Sequence, residues 1–470
     1  MNHLPEQLIS SLRNTQGFDE KSFIKIHEAD KQITSVRLNQ KKVTKEKIAQ
    51  NDLKNTLSAL PMDGKVPWSR NGYYLKERPL FYLDPLWHAG TYYVQEASSM
   101  CIEFVLTHLC DLSRPVRVLD LCAAPGGKST AMAGLISAES ILVSNEVIAS
   151  RTHILEENII KWGLPNVIVT QNDARDFGKL KEYFNIILVD APCSGSGLFR
   201  KDPDSVREWS SEQVMLCSQR QKRILADIIP SLKKGGLLIY TTCSFSQEEN
   251  EEMEDFLMQQ FPLDNMAVPF KPEWNIVETY SHLLHAKGYR FYPYKLWGEG
   301  FFLSCFKKQN EGEGEGSLTI KKQKKNSRLT EINDMQKSIL APWMDEADNF
   351  IFFSLKDSII AFPQSSQLEL ITILSQLKVV YAGIKTGKMA GRDFIPHHAL
   401  SMSINKNKNI SSFDLNLPDA VRYLRKETLP MNEIPEGWLL AAYHGHGLGW
   451  MKGIRSRLNN YYPVNWRIRK

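Results

Sequence analysis

Between residues 116 and 243 the chain alternates five short apolar runs with segments of helical periodicity, and this alternation constrains the fold more than any other feature. The runs are VRVLDLC, SILVSNEV, NVIVTQND, NIILVDAPC and GLLIYTTC; between them lie STAMAGLI, SRTHILEENIIKWG and QVMLCSQRQKRILADIIPSLKKGG. Strands that read as unbroken apolar runs are covered on both faces, and helices between them supply the crossovers that parallel pairing needs. The expectation is an α/β architecture, a Rossmann-like doubly wound sheet. Gly163 caps the second helical segment. After Cys243, the spacing of Ser246 and Glu249 predicts a capping box opening the acidic helix QEENEEMEDFLMQQF, and RFYPYK and GFFLSCF are expected to close the sheet as an antiparallel pair.

A chain of 470 residues exceeds one core. Four segments are expected: a small α+β appendage over 1–90, the sheet domain over 91–308, a flexible linker over 309–328 around EGEGEG, and a β-rich region over 329–470 that contains the hairpin-like NFIFFSLKDSIIAF. No stretch approaches eighteen apolar residues, and MNHLPEQLISSLRN lacks a signal-peptide layout. The seven cysteines are odd in number and include no CxxC, which argues against a disulfide framework or a thiolate zinc site and for a reducing compartment. A cytoplasmic protein with no membrane contact, acting as a monomer, is expected. His444 and His446 read as polar loop residues among glycines, and no metal is expected.

Charge is unevenly placed. Residues 451–470 hold six Lys or Arg and no acid, and residues 307–328 hold seven basic against three acidic residues, while the whole chain is only +5. The remainder is therefore acidic, and the local basicity points to a polyanion docked at particular surfaces. Trp450, Tyr461, Tyr462 and Trp466 lie among the tail charges and are expected to offer stacking platforms for bases.

DLCAAPGGKST follows the first run and opens a helix, the position where backbone N–H groups meet an anionic or carboxylate-bearing ligand. Gly127, Lys128 and Ser129 fit the end of a phosphate-binding loop, but Cys122 occupies its first glycine position, which excludes a nucleoside triphosphatase; G-x-G-x-x-G is absent as well. Glu146, Asp173 and Asp190 end the second, third and fourth runs, an acid at each successive strand end as expected around an adenosine-type ligand. Glu146 is placed to hold the ribose hydroxyls and Asp173 to reach the adenine. S-adenosylmethionine fits, since its sulfonium cation tolerates acidic surroundings.

Cys193 and Cys243 each follow a strand end into a turn, on runs expected to be neighbours. Cys101, Cys110, Cys217 and Cys305 read instead as small buried hydrophobes. A thiolate added at carbon 6 of cytosine makes carbon 5 nucleophilic enough to take a methyl group. A second group must then help to remove the carbon-5 proton and expel the thiol. Two thiols on facing loops meet both needs, with Asp190 available to hydrogen-bond the base.

CAAPGGKS, DAPCSGSG and TTCSFSQEENE, together with QEASSM at residues 95–100, resemble the signature motifs of the Sun-type RNA cytosine-5 methyltransferases over about residues 90–306. The resemblance implies that Cys243 is the nucleophile and that Cys193 assists product release, an assignment the residues alone leave open. It also implies donor contacts by Cys122, Ala123, Ala124, Pro125, Gly126, Gly127, Lys128, Glu146, Asp173 and Asp190. The C-terminal stretches KVVYAGIKTGKMAGRDFIPHHALSM and WLLAAYHGHGLGWMKGIRSRLNNYYP resemble a PUA-type RNA-binding module and the closing segment of the family's bacterial small-subunit ribosomal RNA enzymes. Small-subunit (16S) ribosomal RNA is thus the expected substrate. Large-subunit RNA, transfer RNA and a non-catalytic RNA-binding assembly role are the alternatives. Amino-group methylation would call for Asn/Asp-Pro-Pro-aromatic where Asp190-Ala-Pro-Cys193 stands.

Overall fold

The five apolar runs become five strands because each buries both faces: β1 (Arg117–Asp120), β2 (Ile141–Asn145), β3 (Val167–Thr170), β4 (Phe184–Asp190) and β5 (Leu232–Thr242). The protein was analysed as a computed structural model, which describes residues 4–29, 32–43, 60–310, 330–355, 357–391, 393–429, 434–455 and 457–469. The expected linker over 309–328 falls, from residue 311 on, outside the described residues.

The strands β1 to β5 pair in parallel in the order β5-β4-β1-β2-β3. Three further strands, β6 (Val277–Tyr280), β7 (Lys287–Phe291) and β8 (Phe301–Lys308), continue the sheet antiparallel beyond β5. Chain order reverses between β1 and β4, the switch point at which such sheets bind ligands. The helices α1 (Gly127–Leu135) and α2 (Ala149–Trp162) cover one face and α3 (Ser211–Ile228) and α4 (Glu251–Gln260) the other, giving the two cores expected of a doubly wound sheet. Gly163 closes α2 at φ 82°.

The N-terminal segment is α+β, as its mixed periodicity predicted. Strands Thr34–Leu38, Met62–Lys65, Gly72–Leu75 and Tyr92–Val94 form a four-stranded sheet. Helices Glu6–Leu12 and Glu20–Glu28 pack instead against the segments that follow β4 and β5, burying Leu8, Leu12 and Phe23 against Phe199, Trp209 and Phe245. Phe23 meets Phe245 edge-on at 5.0 Å.

The C-terminal region holds a five-stranded and a four-stranded sheet, and NFIFFSLKDSIIAF is the hairpin Phe350–Leu355 with Ser358–Pro363. Two of its elements belong to the central domain. The strand β9 (Val379–Ala382) pairs antiparallel with β3 at the sheet edge, and helix Gln367–Gln376 sends Leu370, Ile373 and Leu374 into the second core. The stacking role expected of the tail aromatics is corrected for two of them. Trp450 and Tyr462 are each 1% exposed, because each is packed into an apolar cluster, Trp450 donating from Nε1 to the His397 carbonyl at 2.9 Å, whereas Tyr461 is 41% exposed. Among the described residues no helix is long and apolar enough to cross a membrane.

Candidate active site

The donor loop owes its shape to what lies beneath it. Asp120 ends β1 fully buried, and Ser129, in the first turn of α1, donates to its Oδ2 at 2.7 Å. Burial pushes the Asp120 carboxyl up to about 7 against the pull of that hydrogen bond. Its Oδ1 has no partner in the protein. Gly126, at φ 115°, precedes α1 in a conformation that L side chains rarely adopt. The loop carbonyls are held from α2: Arg151 Nη2 donates to Ala124 at 2.7 Å and Asn158 to Pro125 at 2.8 Å.

Support also comes from the N-terminal sheet. Arg37 is buried over the Trp162 ring, and its Nη2 donates to Thr130 Oγ1 at 2.6 Å and to the Gly127 carbonyl at 3.1 Å. Its Nε donates to Gln95 Oε1 at 2.8 Å. Burial lowers this guanidinium to about 10.

The strand-end acids converge as their spacing predicted. Glu146 is 3% exposed and accepts from the Ile148 amide at 2.9 Å, while Asp173 accepts from Arg175 N at 3.2 Å. Asp190 accepts from Thr241 Oγ1 at 2.8 Å through Oδ1 and pairs through Oδ2 with Lys128 Nζ at 2.7 Å. Burial alone would depress the Lys128 ammonium, but Asp190, with Asp120 and Cys243 adding, raises it. These acids line a cavity of about 460 Å³ with Leu121, Val147, Ile148, Ala174 and Ile224 as apolar walls. A smaller cavity of about 170 Å³ shares Cys122, Ala124 and Asp190 with it and is bordered by Gln95, Glu96, Lys128 and Lys201.

Cys193 and Cys243 line the larger cavity as well. Because β4 and β5 are parallel neighbours with Asp190 opposite Thr241, their loops leave the sheet side by side. The two free sulfurs lie 3.0 Å apart. The hydrogen bond to Cys243 and burial, with the charge of Glu249 adding, push the Cys193 thiol well up. On one flank the loops are joined through backbone: Gly197 N donates to the Cys243 carbonyl at 2.8 Å, and Gly300 N to the Gly197 carbonyl at 3.0 Å. A side chain on Gly197 would strike both partners, its Cβ falling 2.4 Å from Gly300 O and 2.8 Å from Cys243 O.

The capping box does not form. Ser246 Oγ is buried without a partner, the α-helix begins at Glu251 after Asn250, and Glu249 is drawn under the thiol loops. The motif after Cys243 therefore folds back on itself, with Asn250 Nδ2 donating to the Ser244 carbonyl at 2.9 Å. Three residues escaped the sequence reading. Asp120 ends its strand as the other three acids end theirs, so the same rule would have found it. Arg37 and Glu299 carry no comparable local signal; Glu299 is buried 3.5 Å from Arg200, and burial pushes it up to about 7.

Known proteins supply an independent line. Three family models match in order: the N-terminal domain of 16S rRNA methyltransferase RsmF over residues 4–97, 16S rRNA methyltransferase RsmB/F over 109–307, and the methyltransferase RsmF PUA domain over 410–468. The ribosomal RNA small subunit methyltransferase F of Shewanella woodyi is 30% identical over 412 residues, 85% of this chain and 84% of its own length. That of Escherichia fergusonii is 30% identical over 414 residues, 85% and 83% of the two chains. Among solved structures, NSun6 from Pyrococcus horikoshii with SFG shares the fold at a TM-score of 0.53, with 20% identity, 65% of this chain and 99% of that one. With such identity sustained along most of its length and all three models in their proper order, the chain belongs to the RsmF family of small-subunit ribosomal RNA methyltransferases.

Proposed function

We propose that the protein methylates carbon 5 of a cytosine in small-subunit ribosomal RNA, with S-adenosylmethionine as donor, Cys243 as nucleophile and Cys193 as the group that assists release. One observation carries the reading: two free thiols on adjacent strand ends, 3.0 Å apart, on the wall of the same cavity as Glu146, Asp173 and Asp190.

The residues present fit the donor. An acid-lined cavity of about 460 Å³ suits a cation with two ribose hydroxyls, and the buried, unpartnered Oδ1 of Asp120 leaves an acceptor beneath the loop. Glu146 would take the ribose hydroxyls, Asp173 the adenine edge, and the loop Cys122, Ala123, Ala124, Pro125, Gly126, Gly127 and Lys128 the amino-acid end. When bound, the donor supplies the electrophilic methyl group.

The protein's part begins with access. A stacked cytosine is out of reach, so the base must be flipped or already unpaired, at a cost of a few kcal/mol. The Cys243 sulfur, as thiolate, forms a bond to carbon 6, and the pair of electrons displaced from the 5,6 double bond makes carbon 5 nucleophilic. Asp190, oriented by Thr241 and Lys128, would bond the amino edge of the base and stabilise that addition. After methyl transfer, Cys193 assists removal of the carbon-5 proton, the 5,6 double bond re-forms and the carbon–sulfur bond to Cys243 breaks. In this reading residues 1–90 and 329–470 carry RNA contact and 91–308 the chemistry, with phosphate contacts supplying affinity and RNA shape the selection.

The decisive experiment incubates small-subunit ribosomal RNA with labelled donor and maps the product. Wild type is expected to yield 5-methylcytosine, Cys243→Ala no transfer, and Cys193→Ala a denaturant-resistant protein–RNA adduct. Transfer by Cys243→Ala, or methyl on another cytosine atom, overturns the reading.

A further inference from the structure

Glu249 has a place that neither the donor cavity nor the addition chemistry uses. It is fully buried, and its carboxylate receives four hydrogen bonds. Oε1 accepts from Ser194 N at 2.8 Å and from Gln221 Nε2 at 3.1 Å. Oε2 accepts from Ser194 Oγ and Ser244 Oγ, each at 2.5 Å. Ser194 is the residue after Cys193, and Ser244 the residue after Cys243. An ionised carboxylate has about four lone-pair sites, so the donor set fills it.

Gln221 extends the arrangement into α3. Its second amide hydrogen goes to the Pro192 carbonyl at 3.0 Å, just ahead of Cys193, and its Oε1 accepts from Tyr240 OH at 3.0 Å. Tyr240, on β5, also lies 2.7 Å from the Glu249 carbonyl as a donor. Helix α3 and both thiol loops thus meet at one buried carboxylate, and β5 reaches the same residue through its main-chain carbonyl.

We propose that Glu249 is a positioning residue that sets the spacing of the two thiols by holding both of their loops on one carboxylate. The proposal rests on the assignment of Cys243 to addition and Cys193 to release. Those two groups must address adjacent atoms of one base. The loops also meet through Gly197 N on the Cys243 carbonyl, through the Phe245 amide on Ser196 Oγ at 2.9 Å and through Ser194 Oγ and Ser244 Oγ at 3.2 Å. Glu249 is the charged group that holds both serines beside the thiols at once. Side-chain length is what the clamp requires: Glu249 reaches both serines from the turn after them, and aspartate, one methylene shorter, cannot span the two.

The test uses the full chain, S-adenosylmethionine and small-subunit ribosomal RNA, with a 5-fluorocytidine-substituted transcript as trap, since that base has no carbon-5 proton to lose. Glu249→Ala is expected to lower kcat and the rate of trapped-adduct formation about a hundredfold, the scale of a misplaced reacting group, with KM for donor and RNA unchanged. Glu249→Gln, which keeps length and an acceptor, recovers most of that loss, and Glu249→Asp recovers little. Should Glu249→Ala fail to fold, the Ser194→Ala/Ser244→Ala double variant removes both hydroxyl donors, and about a tenfold fall in kcat at constant KM is expected. Wild-type kcat in Glu249→Ala or in the serine pair overturns the clamp, as does a loss of donor and RNA affinity in step with kcat. Cys243→Ala runs in parallel: transfer by that variant overturns the nucleophile assignment, whereas an inactive Cys243→Ala beside a fully active Glu249→Ala overturns the clamp alone.

Discussion

Around the donor cavity Glu146, Asp173 and Asp120 are fixed by near neighbours in the chain, with Asp190, held by Thr241 and Lys128, the exception, whereas at the thiol end the fixing groups come from far away. Glu146 takes the amide of Ile148, Asp173 that of Arg175, and Asp120 the hydroxyl of Ser129. Cys193 meets a sulfur fifty residues on, and Ser194 meets a carboxylate fifty-five residues on. Behind the thiols, Phe245 packs on Phe23 from the first thirty residues, and its carbonyl accepts from Arg290. The local end should therefore tolerate change as a shift in donor affinity, and the long-range end should answer with loss of turnover or of the fold.

The sharpest contrast comes from Cys243→Ala. Turnover is expected to vanish while donor affinity, measured by calorimetry, stays at the wild-type value; weakened donor binding would show that the two ends are not separable. Next is Arg290→Ala. Arg290 is 1% exposed and holds Glu251 through bonds of 2.7 and 2.5 Å while reaching the Phe245 carbonyl at 2.7 Å. Removing it strands a buried carboxylate, at a cost of about 3–5 kcal/mol that a denaturant titration would read. An unfolding free energy unchanged within error would break the claim that the thiol end depends on distant supports.

Asp120→Asn probes the local end through pH. The folded-state carboxyl lies at about 7, above its ordinary value of 3.8, so its contribution to stability is complete below pH 4 and lost as pH rises through 7. Wild type, free of donor, should lose of order 2–4 kcal/mol across that window from this group, and Asp120→Asn should flatten the slope. Identical slopes for the two proteins would refute the buried-acid account. The smallest effect is expected from Glu146→Gln: a donor Kd raised about ten- to a hundredfold, as for the loss of charge-assisted hydrogen bonds, with kcat at saturating donor preserved. A fall in kcat instead would place Glu146 in the chemistry.

The same division between local and long-range explains what was legible. The order of strand and helix from 116 to 243, the glycine loop that opens a helix after the first strand and the acids at 146, 173 and 190 follow from periodicity and fixed offsets, which short windows carry. Glu249 shows the limit. Its spacing from Ser246 is that of a capping box, but the buried amide and hydroxyls of the thiol loops offered it better partners than a helix end open to water. Trp450 and Tyr462 sit in or beside a basic tail yet are core residues, since each packs into an apolar cluster built from segments distant in the chain. Nothing local marked Val379–Ala382 as the edge strand of the central sheet, or Lys378 as the residue that pairs its backbone with the Asn172 side chain beside Asp173.

Sequence by itself determined the sheet, the donor loop and the identity of the two thiols, because each is encoded in residues that sit within a strand and the turn after it. Tertiary structure decided how far apart the sulfurs stand and what holds them there. It also decided that Arg37 from the N-terminal sheet braces the donor loop and that a C-terminal strand completes the edge. Those are contacts between groups tens to hundreds of residues apart, selected by burial and by the need of every buried polar group for a partner, and no short window of sequence contains both sides of such a choice.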